Sequence, residues 1–259
     1  MEKLWRRASL AAAKRTPVRP IRSRLAAPVA SITFDDVPQS AACNGTEALE
    51  RAGRVGTFYV CGAHTGTVFE GKVQHRLADL ERLRDAGHEL ACHGFAHLDA
   101  TRADLPALER DLEANRDFMT AVLGAPPPES FAYPFGATSV PSKRFYSARF
   151  ATCRGVLSGL NAERIDLSEL RAFLLRPGGI DRRRLERLIK EAWRRSAWLV
   201  FFTHEVASEP TAWGCRPSDL EALISQLSDA GIEILPVREA ARRAVAPIEL
   251  CRVRGRLWD

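Results

Sequence analysis

The chain predicts an α/β protein whose mostly parallel sheet curls into a barrel. Three observations carry this prediction. Short apolar runs of strand length recur along the sequence, segments of helical period lie between several of them, and roughly seven or eight such units is the number a barrel uses. The runs fall at 29–34, 57–60, 89–92, 131–133, 150–153, 170–175, 198–202 and 232–237, and are apolar, β-branched or aromatic. Between them, Leu77, Leu80 and Leu83 form one helical stripe, and Leu105, Leu108, Leu112, Met119 and Val122 form another. Leu185, Leu188, Ile189 and Ala192 repeat the pattern, and Leu220, Leu223, Ile224 and Leu227 give the full i, i+3, i+4, i+7 spacing of an amphipathic helix. Ser218 with Glu221, directly after Pro217, reads as a capping-box start for that last helix.

With 259 residues, 46% of them apolar and 8% aromatic, the chain suits one domain that buries its own core. It has no internal repeat and no low-complexity tract. Six cysteines, at 43, 61, 92, 153, 215 and 251, are scattered without a C-x-x-C pair. That usage predicts reduced, packing thiols rather than a disulfide framework. The net charge of +6 invites a nucleic-acid reading, but its distribution argues against one. Residues 1–24 hold eight Lys or Arg against the single acid Glu2, leaving 30 basic and 31 acidic residues in 25–259. The expected organisation is therefore a basic, flexible N-terminal arm over 1–24 and a neutral globular domain over 25–259, with no nucleic acid as partner.

The arm makes a poor secretion signal, because its longest uncharged stretch, 8–13, is short, weakly apolar and interrupted by Lys14-Arg15. No run approaches the roughly 20 apolar residues of a membrane span. The expectation is a cytoplasmic protein. Its arm is either solvated or in peripheral contact with an anionic membrane through Leu4 and Trp5.

Chemistry is concentrated where predicted strands end. Thr33-Phe34-Asp35-Asp36 closes the first, His93-Gly94-Phe95-Ala96-His97 follows the third, and His204 closes Phe201-Phe202-Thr203-His204 after the seventh. Each alone has a plain reading: an Asp pair at a turn or helix cap, and histidines as partly buried polar residues. Together they occupy the carboxyl ends of strands, where parallel α/β folds gather functional residues. Two imidazoles and one carboxylate can hold a divalent metal and leave a position for water, unlike a closed structural site. A second carboxylate beside the ligand can take a proton from that water. Pro134-Phe135-Gly136 also follows a strand, as a turn whose Phe135 N–H could face the site.

In this order and at these separations, T-F-D-D, H-x3-H, P-F-G and the late strand-end His resemble the polysaccharide deacetylases, or NodB-homology domains, of carbohydrate esterase family four. The resemblance spans roughly residues 29–239, and Gly56-Thr57-Phe58-Tyr59-Val60 and Ala86-Gly87-His88-Glu89 look like the punctuation of the same family. It implies a distorted (β/α) barrel, usually with about seven strands. It also implies a hydrolase that removes N-acetyl or related acyl groups from a carbohydrate, using one divalent metal ion, zinc foremost. By position, Asp35 becomes the general base, Asp36, His93 and His97 the metal ligands, and His204 the general acid. The Phe135 N–H would hold the oxyanion and Phe202 would line the acyl pocket.

This chain departs from the family pattern at several points. Val37 stands where the family often has Gly, and Gly94 where it often has Ser or Thr. Ala132 occupies the place of an Arg that orients the base in many members, for which Arg176 is the candidate substitute, and the Asp-x-x-x-Trp segment has no clear equivalent. His64, His75 and His88 read as structural or surface residues, with His64 just beyond a strand end; burial explains Cys61 and Cys92 more simply than chemistry does. Two rival classes remain: a non-catalytic carbohydrate-binding member of the fold, and a metal-dependent hydrolase of a non-sugar amide. An unexported member would suit a sugar intermediate or lipid-linked precursor as substrate.

Overall fold

Strands that are apolar on both faces need cover on both faces, and the longest two show it. Every residue of β2 (Val29–Asp35) and of β11 (Trp198–Thr203) is buried. The computed structural model describes residues 13 and 16–245, the side chain of Val122 excepted. In chain order the other strands are β1 (Pro20–Arg22), β3 (Thr57–Val60), β4 (Val68–Phe69), β5 (Lys72–Val73), β6 (Glu89–Cys92), β7 (Ser130–Ala132), β8 (Thr152–Arg154), β9 (Arg164–Asp166), β10 (Phe173–Leu174) and β12 (Glu233–Ile234). The main sheet runs β10-β11-β2-β3-β6-β7-β8, every pair parallel, with β12 alongside the start of β2. A bridge between Arg154 and Leu170 links the end of β8 to the segment entering β10, curling the sheet into the expected distorted barrel.

Alternation along each strand divides the interior. Leu199 and Phe201 of β11, with Ala30, Ile32 and Phe34 of β2, face one core that includes helix residues Leu220, Leu223, Ile224 and Leu227. Trp198, Val200 and Phe202 face another, closed by Val237, Ala240, Ala241 and Ala244. An aromatic cluster of Phe131, Tyr133, Tyr146 and Phe150 fills the β7–β8 end.

The predicted runs all appear, some with shifted bounds, and the stripes with them, except that Leu105 is half exposed and the Val122 side chain lies outside what is described. The run 232–237 contributes only Glu233–Ile234 to the sheet, because Val237–Ala244 is a helix. The last amphipathic helix, Pro217–Asp229, is capped two residues earlier than expected: Asp219, not Glu221, accepts from the backbone, taking the Arg216 and Gly178 N–H groups at 3.0 and 3.1 Å. Glu221 instead pairs with Arg51 at 3.0 Å. The helices Thr46–Arg51 and Val140–Ser147 and the antiparallel pairs β1–β9 and β4–β5 lack a long apolar signature and were not expected.

The arm needs the larger correction. Residues 16–24 are not free: β1 pairs with β9, and Arg19 donates to the Phe150 and Ala151 carbonyls at 2.9 and 3.2 Å. Lys143, fully buried, donates to the Ala13 and Thr16 carbonyls at 3.2 and 2.9 Å and pairs with Asp166 and Glu169. Leu4, Trp5 and Cys251 lie outside the described residues. The other five cysteines are unpaired, as expected. No helix among the described residues is long and apolar enough to cross a membrane.

Candidate metal centre

Strand parity aims Asp35 inward. Since Ala30, Ile32 and Phe34 face the helices, Ser31, Thr33 and Asp35 face the barrel lumen, where Thr33 donates to the Phe201 carbonyl at 2.9 Å and Ser31 accepts from the Trp198 indole at 3.0 Å. Asp36 would then point outward, but it and Val37 adopt left-handed backbone, with φ of 60° and 55°. The chain thus turns at the strand end and returns Asp36 to the mouth. A β-branched residue is rarely found there, and His75 holds it: its backbone N–H and Nδ1–H both donate to the Val37 carbonyl, at 3.2 and 3.0 Å, while Thr65 donates to its Nε2 at 3.0 Å.

His93 and His97 arrive on the loop after β6. The His93 Nδ1–H donates to the Ala132 carbonyl at 2.8 Å, which turns its Nε2 towards Asp36 Oδ1, 3.7 Å away. His97 Nε2 lies 3.4 Å from the same oxygen. The loop is pinned from the helix Leu105–Asp117, whose Asp111 accepts from the Phe95 and Ala96 N–H groups at 2.9 and 2.8 Å. Gly94 is required by that approach: its φ is +76°, and a Cβ there would lie 2.6 Å from Asp111 Oδ2. On the opposite side, the backbone N–H and Nδ1–H of His204 both donate to the Trp213 carbonyl, at 3.1 and 3.2 Å, and its Nε2 stands 4.0 Å from Asp36 Oδ2.

The three ligand atoms of Asp36, His93 and His97 lie within 4.8 Å of one another. Burial dominates their electrostatics. It pushes Asp36 up to about 7, with Asp35 adding to the push, and holds His97 down at about 2 and His93 well below its usual range, as neighbouring cations and imidazoles also do. Buried Asp36 Oδ1 and His97 Nδ1 have no hydrogen-bond partner among the described residues. Neutral imidazoles around an unsatisfied carboxylate are the donor set of a divalent cation, whose charge reverses each of these penalties.

Asp35 is paired by an arginine, though not by Arg176, which is exposed on the segment after β10. Fully buried Arg154, at the end of β8, bonds Asp35 Oδ1 through Nη2, and its guanidinium lies over the Phe202 and Tyr59 rings at 4.8 and 5.2 Å. Sequence reasoning missed it. The available signal was a charged residue closing the apolar run that forms β8. It also missed Asp111 and Asn115, which share a helical stripe with Leu108 and Leu112 and are buried with it. Of the remaining expected residues, Phe202 is buried beneath His204, with ring centroids 6.4 Å apart. Phe135 is 59% exposed in left-handed backbone, its ring 4.3 Å from that of His97. Trp213, 55% exposed, flanks the other side with its ring 6.2 Å from His204.

Fold and site together define a parallel α/β barrel with a carboxylate–histidine cluster at its mouth. The polysaccharide deacetylase family model matches residues 22–150, and it is this family that the chain resembles. No curated protein matches it. Among solved structures, it is similar to a family 4 acetyl xylan esterase from Clostridium thermocellum in complex with a cobalt ion, at 19% identity and a TM-score of 0.58, over 82% of this chain and 89% of that one. It is also similar to the Bc1960 peptidoglycan N-acetylglucosamine deacetylase, at 13% identity and a TM-score of 0.57, over 85% of this chain and 91% of that one. A family pseudoenzyme from Bacillus anthracis matches at 15% identity and a TM-score of 0.56, over 88% of this chain and 70% of that one. At such identities the likeness establishes the fold alone.

Proposed function

We propose that the protein is a metal-dependent hydrolase that removes N-acetyl or related acyl groups from a carbohydrate. The observation that carries this is the convergence of five side chains, Asp35, Asp36, His93, His97 and His204, at one end of the barrel. A barrel of this kind can be inactive, as the pseudoenzyme neighbours illustrate; retention of a base, an acid and a complete ligand set favours an active one.

Asp36, His93 and His97 would hold the ion, and zinc suits two imidazoles and a carboxylate. When bound, such an ion supplies Lewis acidity towards an acyl carbonyl. Asp35, fixed by Arg154, takes the proton of the attacking water. His204, its Nδ1–H committed to the Trp213 carbonyl, has Nε2 free to protonate the departing amine, which is otherwise too basic to leave. The Gly136 and Ala137 N–H groups are spent on the Tyr133 and Pro134 carbonyls, whereas the Phe135 N–H has no such backbone acceptor among the described residues and is the proposed oxyanion donor. Phe202 would floor the acyl pocket, and the exposed Phe135 and Trp213 rings offer apolar faces to a sugar on either side. The five unpaired cysteines suit a reducing, cytoplasmic setting.

The test pairs elemental analysis with acetate release from N-acetylated oligosaccharides. Asp35→Asn should keep the metal content of the parent and lose at least about 100-fold in turnover, the lower range for loss of a general base. Asp36→Asn should lose the ion itself, with turnover partly rescued by excess zinc. His204→Ala should resemble Asp35→Asn. Near-normal turnover in Asp35→Asn would refute the mechanism.

A further inference from the structure

A second cluster of ligand-type groups adjoins the first. Cys61, directly after β3, and His64, three residues later, bring a sulfur and a ring nitrogen to Asp36, with all three ligand atoms within 4.8 Å of one another. Asp36 is 5% exposed, Cys61 0% and His64 7%. Packing accounts for the burial of Cys61 and His64 but not for their polar ends. His64 Nδ1 and Asp36 Oδ1 have no hydrogen-bond partner among the described residues, and the Cys61 thiol is spent on a 3.3 Å bond to the His93 carbonyl. An unpaired buried polar group costs about 1–3 kcal/mol; the first metal position answers for Asp36 Oδ1, so the His64 nitrogen beside a buried thiol needs a reason of its own.

The cluster is also held in place. The Gly62–His64 turn is fixed by the Gly62 N–H on Asn115 Oδ1 at 3.0 Å and the Ala63 N–H on the Phe95 carbonyl at 3.1 Å. The His64 ring stacks on Phe69 of the β4–β5 hairpin with centroids 4.0 Å apart. Groups restrained in this way lose little freedom on taking a ligand.

We infer that Asp36, Cys61 and His64 form a second metal position that shares the Asp36 carboxylate with the first and takes a thiophilic divalent ion, zinc or cadmium. Thiolate, imidazole and carboxylate form a donor set such ions prefer. On binding, the thiol releases its proton to solvent and gives up the bond to the His93 carbonyl, and the sulfur's electron pair goes to the ion. A carboxylate common to both positions can bridge them, since paired ions in hydrolases sit about 3.5–4 Å apart. The inference rests on the proposed metal centre only through Asp36.

Cobalt and cadmium titrated into the metal-free full-length protein provide the test, read by thiolate-to-metal charge-transfer absorption and by elemental analysis. About two ions per chain and a thiolate band are expected. Cys61→Ser should abolish the band and leave about one ion, and His64→Gln should weaken the band-forming step by at least about tenfold, as loss of a ligand-site group does. His93→Ala should remove one ion and retain the band. One ion per chain without a thiolate band overturns the second position and leaves the first standing. A band that survives in Cys61→Ser assigns the sulfur elsewhere and also overturns it. If Cys61→Ser fails to fold, a band unchanged in His64→Gln overturns it alone, whereas a full band in His93→Ala with no loss of metal counts against the first position instead.

Discussion

Arg154 reaches Asp35 from β8, while the position that sequence comparison singles out, Ala132 on β7, contributes only its carbonyl, to His93. The motif therefore located the candidate site but not the group that steadies the proposed base, because a side chain on a neighbouring strand can deliver the same charge to the same point in the lumen. The residues proposed to react were legible because each sits at a strand end in a short motif; Arg154 was not, since its one local mark, a charge closing an apolar run, does not name a partner 119 positions away. Arg154→Met should leave Asp35 buried without a counter-charge and cost about 3–5 kcal/mol, the range for a broken buried pair. Turnover should fall at least about 100-fold with metal retained. Arg154→Lys keeps the charge but not the planar fork, so it should recover stability more fully than turnover. Denaturation midpoints, acetate release and metal content together check this.

At the scale of elements, the strands and helices that showed a period in the sequence are the ones found, and those missed are short. A two-residue strand such as β4 or β5 has no period to read. The loop-bracing face lay inside an expected helix and was hidden by its polarity instead: Asp111 and Asn115 occupy i, i+3, i+4, i+7 positions with Leu108 and Leu112, where a polar residue in an apolar stripe signals a buried bond. Asp111→Ala should free the His93–His97 loop and weaken metal affinity by about 10- to 100-fold, the usual effect of removing an outer support, as metal titration would register. His75 supports the Asp36–Val37 turn in the same fashion. Burial holds its pKa below the usual value, so the unfolded chain takes up a proton first as pH falls below about 6.5, and the stabilisation His75 provides, complete above that pH, is lost on the way down. His75→Gln should accordingly be less stable than the parent at pH 7, with the gap narrowing towards pH 5 in denaturant titrations.

For the whole molecule, the barrel was readable because repetition of strand and helix leaves few topologies. The placement of residues 16–24 was not. Their composition is that of a tail, and only the distant β9, Lys143 and Phe150 give them a place. A chain starting at residue 13 keeps β1 and Arg19, whereas one starting at residue 25 loses both and removes two carbonyl acceptors from buried Lys143. Each buried hydrogen-bonding group left unpaired costs about 1–3 kcal/mol, so the shorter chain should unfold at a clearly lower temperature in calorimetry, with metal affinity changed little because the clasp lies away from the ligands.

That clasp also bears on how the protein is made. Ile21 pairs with Ile165, so β1 leaves the ribosome on the order of ten seconds before its partner exists, at ordinary rates of synthesis. Until then it is an unpaired edge of the kind that invites association with other chains. Three residues long, ending in Arg22 and flanked by Arg19 and Arg24, it is short and charged enough to wait in solution, which gives part of the N-terminal basicity a use during synthesis.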